Sequence, residues 1–124
     1  MTRWNSFPGT KESRNKYSNR KVELDGHVFD SQKEARRYAE LKLLEQAKEI
    51  SGLRRQVKYE LIPEQKDESG KLIERAVNYF ADFVYYDARN KETVVEDTKG
   101  FKTKEYVLKR KLMLYVHGIK VREI

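Results

Sequence analysis

Asp97-Thr98-Lys99, with Asp82 fifteen residues upstream, are the residues of this chain best suited to chemistry. Each acid lies in or at the end of a stretch that reads as a β-strand. Side chains two apart on a strand face the same way, roughly 6–7 Å from each other. Asp97 and Lys99 are therefore expected to project together, and a neighbouring strand can bring Asp82 beside them. Two carboxylates and an amine converging at a sheet edge can hold a divalent metal and orient a water for attack on a phosphodiester. The same spacing also fits a simple strand-end ion pair. Asp82 has the more telling surroundings, since Asp is disfavoured in strands and by alternation it shares a face with apolar residues, Phe80, Val84 and Tyr86. A carboxylate there needs a compensating cation, either Lys99 or a metal. Glu96 should point away from Asp97 by strand alternation and stays outside the expected site.

The elements that must position these residues follow from local patterns. Val22, Leu24, Val28 and Phe29 flank Asp25-Gly26, a strong hairpin signal. Ser31 then opens Ser-Gln-Lys-Glu, a capping box with Glu34 three residues on, predicting a helix to about Lys48 or Ile50 that stops near Ser51-Gly52. A strand is expected over Gln56–Ile62, closed by Pro63, then a charged loop over 64–71. A β-rich stretch runs from about Leu72 to Tyr86, with Tyr79, Ala81, Phe83 and Tyr85 alternating against Phe80, Asp82, Val84 and Tyr86. A turn over 87–92 leads to a strand over 93–98, which Gly100 ends. Helical spacing returns from Thr103 to His117, with Gly118 where a C-cap glycine belongs, and 119–124 reads as a last short strand. A helix between the last two strands predicts a parallel pair with a right-handed crossover. The fold class is α/β.

The net charge of +7 is unevenly spread. Residues 1–21 and 99–111 each carry a net +5, and 22–98 between them a net −4. Two basic blocks around an acidic centre suit a protein that grips phosphates around a carboxylate cluster, although solvated basic surfaces give the same counts. Residues 1–20 read as a flexible basic arm whose Trp4, Phe7 and Tyr17 could stack on bases or dock on their own domain. The remainder, 21–124, is long enough for one domain. There are no cysteines, which excludes disulfides and a Cys-based zinc site. No apolar run approaches the ~20 residues of a membrane span, and no secretory leader is evident. An intracellular, cytoplasmic protein is the simplest reading.

The α-β-β-β-α-β order with Asp82 and Asp97-x-Lys99 resembles the PD-(D/E)xK nucleases, the restriction-endonuclease-like superfamily. KY at 16–17, DGHVFDSQKEARRYAEL at 25–41, YFADF at 79–83 and VVEDTKG at 94–100 look more narrowly like a family of small phage-encoded proteins. That family is grouped with endonucleases and Holliday-junction resolvases. The resemblance spans about 16–124. It implies a restriction-endonuclease-like αβββαβ core with a mixed sheet, preceded by the β-hairpin and basic arm. It also implies Mg²⁺ or Mn²⁺ held by Asp82, Asp97 and the Thr98 carbonyl, with Glu34 completing the site through the metal or its waters. Lys99 would orient the attacking water and stabilise charge on the scissile phosphate. One departure is plain: Ala81 stands where the motif's name puts proline.

The expectation is thus a metal-dependent DNA endonuclease, structure-selective for branched DNA or Holliday junctions, leaving 5′-phosphate and 3′-hydroxyl ends. It would work in phage DNA processing inside a bacterial host. A homodimer would supply paired cuts at a junction. DNA contacts are expected from Lys16, Arg20, Gln56, Lys102, Lys104, Lys109 and Lys111, some of which could equally be solvated surface. Glu34 is already accounted for by the capping box. His27 and His117 are separated and support neither a zinc site nor a triad. The alternative is a non-catalytic DNA-binding module or accessory subunit whose acids are structural.

Overall fold

The computed structural model describes residues 21–124, so the expected arm, with Lys16 and Arg20, lies outside the described residues. A boundary between Glu40 and Leu41 divides the chain into two compact units. The described part of the first holds β1 (Val22–Leu24), β2 (His27–Phe29) and the opening turns of α1 (Gln32–Gln46). Asp25 and Gly26 take φ of +56° and +80°, the double left-handed geometry of a tight two-residue hairpin. Ser31 Oγ accepts the Glu34 N–H at 3.1 Å and so caps α1 as expected. Phe29, fully buried, packs on Tyr38, whose hydroxyl donates to Asp25 at 3.1 Å.

The second unit contains one four-stranded sheet in the order β3-β6-β7-β8, made of β3 (Ile50–Ile62), β6 (Val77–Asp87), β7 (Glu92–Asp97) and β8 (Arg122–Glu123). β3, β6 and β7 are antiparallel neighbours, and β8 joins β7 in parallel. Between β3 and β6 stands a small hairpin, β4 (Gln65–Lys66) and β5 (Leu72–Glu74). α2 (Lys104–His117) connects β7 to β8, which is how a parallel pair must be joined. Among the described residues the architecture is an open, mixed α/β fold with two helices. No helix among the described residues is long and apolar enough to cross a membrane.

Several boundaries differ from the expectations. α1 ends at Gln46, where Lys48 adopts φ +64° and supplies the left-handed turn that ends the helix. β3 begins at Ile50, six residues before Gln56, because Ile50 and Ser51 find ladder partners in Asp87 and Tyr86. The expected charged loop folds as the β4–β5 hairpin, held by Asp67 accepting from Ser69 and Lys71. The single β-rich stretch from Leu72 is split between β5 and β6. α2 matches closely: the Thr103 hydroxyl accepts the Tyr106 N–H, and Gly118 at φ +69° sends its N–H to the Leu114 carbonyl.

The core of this unit joins Leu61, Tyr79, Ala81, Val84, Val95, Tyr106, Met113 and Val121. Met113 is fully buried, so truncating it to Ala is expected to cost about 2–5 kcal/mol. Ala81 and Val84 lie three apart on β6 yet share this cluster, which strict alternation forbids. The phase changes at Gln56 and Asp82. Arg55↔Phe83 and Val57↔Ala81 pair on either side in unchanged register, while Gln56 and Asp82 between them do not. Gln56 takes φ +50°, a strained conformation for a residue with a side chain, costing about 1–3 kcal/mol. Asp82 therefore sits at a break in the strand pattern and not on a regular face with Phe80 and Tyr86, both of which are exposed.

Candidate functional site

The break places Asp82 against the end of β7. Register pairs Phe83 with Glu96, so Asp82 and Asp97 fall opposite each other one step on. Thr98 fastens them: its N–H and its hydroxyl both donate to Asp82 Oδ2, each at 2.8 Å. Gln56 Nε2 donates to Asp82 Oδ1 at 3.1 Å. Asp82 is thus oriented from both neighbouring strands by three hydrogen bonds, and its charge acts on that of Asp97.

Asp97 is 1% exposed and is held as firmly. The Tyr79 hydroxyl donates to its Oδ2 at 2.6 Å, and the Lys99 N–H donates to its Oδ1 at 2.9 Å. Burial pushes the Asp97 carboxyl above the usual carboxylate range, the Tyr79 hydrogen bond opposes this, and the neighbouring charge of Asp82 adds to it. Burial and the Asp97 hydrogen bond raise the Tyr79 phenol far above its ordinary value, so it stays protonated and acts as a donor. Its ring lies 6.4 Å from that of Tyr106.

Lys99 arrives differently from the expectation. β7 ends at Asp97, so strand periodicity does not align the two side chains. The loop after the strand turns the Lys99 N–H back onto the Asp97 carboxylate, while the Lys99 charge lowers the Asp97 pKa from nearby. Lys99 forms no ion pair among the described residues, so the strand-end salt bridge is absent from the described part of the chain.

Glu96 points to the other face, as alternation requires, and is fully buried there with the Tyr85 hydroxyl as a donor. One strand further, Glu123 is the Cα partner of Asp97. It is clasped by Lys102 at 2.9 Å, Arg110 at 3.0 Å and the Tyr106 hydroxyl at 2.8 Å. Those bonds hold its carboxyl down at about 2.

Of the other expected residues, Gln56 is in the middle of β3, not at its start, and touches Asp82 directly. Lys102 is engaged with Glu123, and Lys109 pairs with Glu105 at 3.1 Å. Lys104 and Lys111 are exposed on α2 without ion pairs among the described residues. Glu34 is buried in the first unit, on the first turn of α1. His117 bonds the Glu60 carbonyl at 2.7 Å, and His27 packs against Tyr38. Tyr79 and the Thr98 hydroxyl are the residues that sequence reasoning missed. Neither has a sequence signal beyond its place beside the acids, Tyr79 on the strand of Asp82 and Thr98 directly after Asp97.

The family model whose description reads "Protein of unknown function (DUF1064)" matches residues 14–122, nearly the whole chain. The chain belongs to the DUF1064 family. No curated protein and no solved structure matches it. In this DUF1064 chain, no group of three or more His, Cys, Asp or Glu among the described residues is placed to hold a metal ion. What the second unit does assemble is a two-aspartate pair with fixed carboxylate planes. Each carboxylate has about four lone-pair sites. Hydrogen bonds occupy three on Asp82 and two on Asp97. The rest remain as acceptor-only oxygen beside a lysine.

Proposed function

We propose that this chain is a Mg²⁺- or Mn²⁺-dependent DNA endonuclease with a restriction-endonuclease-like core, selective for branched DNA such as a Holliday junction. The observation that carries the reading is the Asp82–Asp97 pair, set side by side by Thr98 and followed directly by Lys99. The strand order, with β4–β5 taken as an insertion, agrees with the αβββαβ core that the resemblance implies.

The residues fit the cation. Mg²⁺ takes oxygen donors, keeps several waters, and needs only one or two carboxylates, so a third acid is not obligatory. Two adjacent carboxylates, of which Asp97 is buried, gain from a shared cation, and the neighbouring charge of Asp82 adds to the larger effect of burial in raising the Asp97 pKa. Asp82, Asp97 and the Thr98 carbonyl would hold the ion. When bound, it would supply a water of lowered pKa and positive charge beside the scissile phosphate.

The protein's share is orientation. Thr98, Gln56 and Tyr79 fix the two carboxylates before any ligand arrives, so little reorganisation opposes the reaction. Lys99 positions the attacking water and offsets charge gathering on the phosphoryl oxygens. The water oxygen bonds to phosphorus and gives up a proton to solvent, while the bond from phosphorus to the 3′-oxygen breaks and that oxygen takes a proton from solvent. The ends are a 5′-phosphate and a 3′-hydroxyl.

Incubation of a four-way junction, a flap, a single strand and a linear duplex with Mg²⁺, Mn²⁺ or EDTA tests this. Cutting should require the divalent ion, favour the junction, and disappear in Asp97→Ala while DNA binding is kept or strengthened. A second reading is favoured by one observation: among the described residues no third His, Cys, Asp or Glu joins the pair in a group placed to hold a metal ion. It is a non-catalytic DNA-binding module or accessory subunit. Wild type that shifts DNA on a gel yet cuts none of the four substrates with either ion establishes that reading instead.

A further inference from the structure

A cavity of about 360 Å³ opens between α2 and β8, lined by Arg110, Lys111, Leu114, Lys120, Val121 and Glu123. Its size falls at the lower end of small-ligand clefts. Three of its six residues are cations and one is an acid, so the lining is net positive. The acid does not neutralise the lysines. Glu123 Oε1 receives Lys102, and Oε2 receives Tyr106 and Arg110, which leaves Lys111 and Lys120 with no ion pair among the described residues.

We propose that this cavity is a second phosphate-binding site, taking a backbone phosphate of a nucleic-acid strand that reaches past the Asp82–Asp97 pair. Two like charges around one cleft repel each other, and an anion seated between them relieves the repulsion. Leu114 and the buried Val121 add an apolar wall, which suits the hydrocarbon of a sugar better than water. Glu123 supports the pocket by anchoring Arg110 in place. The location fits as well. Glu123 is the Cα partner of Asp97, one strand spacing or about 5 Å away. Successive phosphates of one strand rise about 3.4 Å along a duplex axis and lie farther apart than that through space. A strand with its scissile phosphate at Asp97 and running across β8 therefore delivers a phosphate to the cavity one or two nucleotides on. The inference rests on the nuclease reading for the direction of that strand; of the expected contacts it sets aside Lys102 and Lys109, which are already paired, keeps Lys111 and adds Lys120.

Binding measured in EDTA separates this proposal from cleavage. Lys111→Ala/Lys120→Ala should weaken binding of an oligonucleotide roughly tenfold and reduce the slope of log affinity against log salt by about 1 to 2. Lys71→Ala/Lys91→Ala removes the same charge elsewhere and should leave the slope unchanged. Both lysines of the test pair are exposed, so the melting temperature should hold, which keeps a folding defect apart from a binding one. Amide chemical shifts read the same pocket directly, with inorganic phosphate, a deoxynucleoside monophosphate and a short oligonucleotide as separate probes. Perturbations over 110–123 that grow from phosphate to oligonucleotide support the proposal. An equal loss in both double variants overturns it, as do shifts that saturate with the monophosphate or are absent with all three probes. If Asp97→Ala and wild type both fail to cut while the pocket still binds the oligonucleotide, the nuclease reading falls and the phosphate site stands.

Discussion

Asp97 and Glu123 sit opposite each other on paired strands, and each takes a hydrogen bond from a tyrosine of the same small cluster. Their electrostatics are nevertheless opposed. Glu123 has two cations within ion-pair distance and a carboxyl held down at about 2. Asp97 is more deeply buried, has only the more distant charge of Lys99 against that of Asp82, and is shifted upward. The difference teaches which acid serves the fold. Glu123 stitches α2 to β8 and is satisfied. Asp97 is oriented but has no ion-pair partner among the described residues, and the proposed metal site builds on that difference.

The largest test of that contrast is catalytic. On the proposed nuclease reading, Asp97→Asn should lower cleavage by on the order of 10³-fold or more, whereas Glu123→Gln on β8 should stay within about tenfold. Initial rates on a four-way junction at saturating Mg²⁺ decide it. Equal losses in the two variants would erase the distinction between the acids.

Stability should rank them in the reverse order. Glu123→Gln leaves Lys102 and Arg110 without their carboxylate and should cost about 1–3 kcal/mol by urea denaturation in EDTA. Asp97→Asn removes a desolvated charge and should cost less. Added Mg²⁺ should raise the melting temperature of wild type by mass action and leave that of Asp97→Asn unmoved.

The acid limb of stability sharpens the comparison further. A carboxyl lowered from 4.5 to about 2 on folding contributes stability that is complete above pH 4.5 and lost as pH falls from there to about 2. Asp97 has the opposite sign, since a raised native pKa favours the folded protein as pH falls through it. Glu123→Gln should therefore flatten the decline between pH 4.5 and 2, read as melting temperature against pH. An unchanged decline would show that the clasp on Glu123 does not persist in solution.

Much of the frame was legible because it is local. Asp25-Gly26, Ser31, Thr103 and Gly118 each act on backbone within a few residues, so their turn and caps follow from the sequence. β3 was not, because Ser51-Gly52 carries a breaker pattern that the partner strand overrides through Ile50↔Asp87 and Ser51↔Tyr86. The site was half legible. Acids on neighbouring strands could be expected to meet, but the phase break at Gln56 and Asp82 changes side-chain direction without altering the register, and nothing in the letters marks it. Tyr79 is one of eight tyrosines, and only the fold selects it to face Asp97.

The tyrosines give the smallest and most discriminating effect. Tyr106→Phe removes one of three donors from Glu123, and Lys102 and Arg110 remain to hold the carboxylate. It should cost about 0.5–1.5 kcal/mol and leave the Mg²⁺ dependence of cleavage alone. Tyr79→Phe removes the one side-chain donor that the buried Asp97 carboxylate has among the described residues, leaving it the Lys99 N–H. The loss in stability should be similar in size. Asp97 would then be free to turn about its side-chain bonds, so the Mg²⁺ concentration for half-maximal cleavage should rise several-fold. A phenol that only fills space predicts a stability change without that shift. Measuring both quantities in both variants separates orientation of Asp97 from packing, since only one of the two tyrosines donates to Asp97.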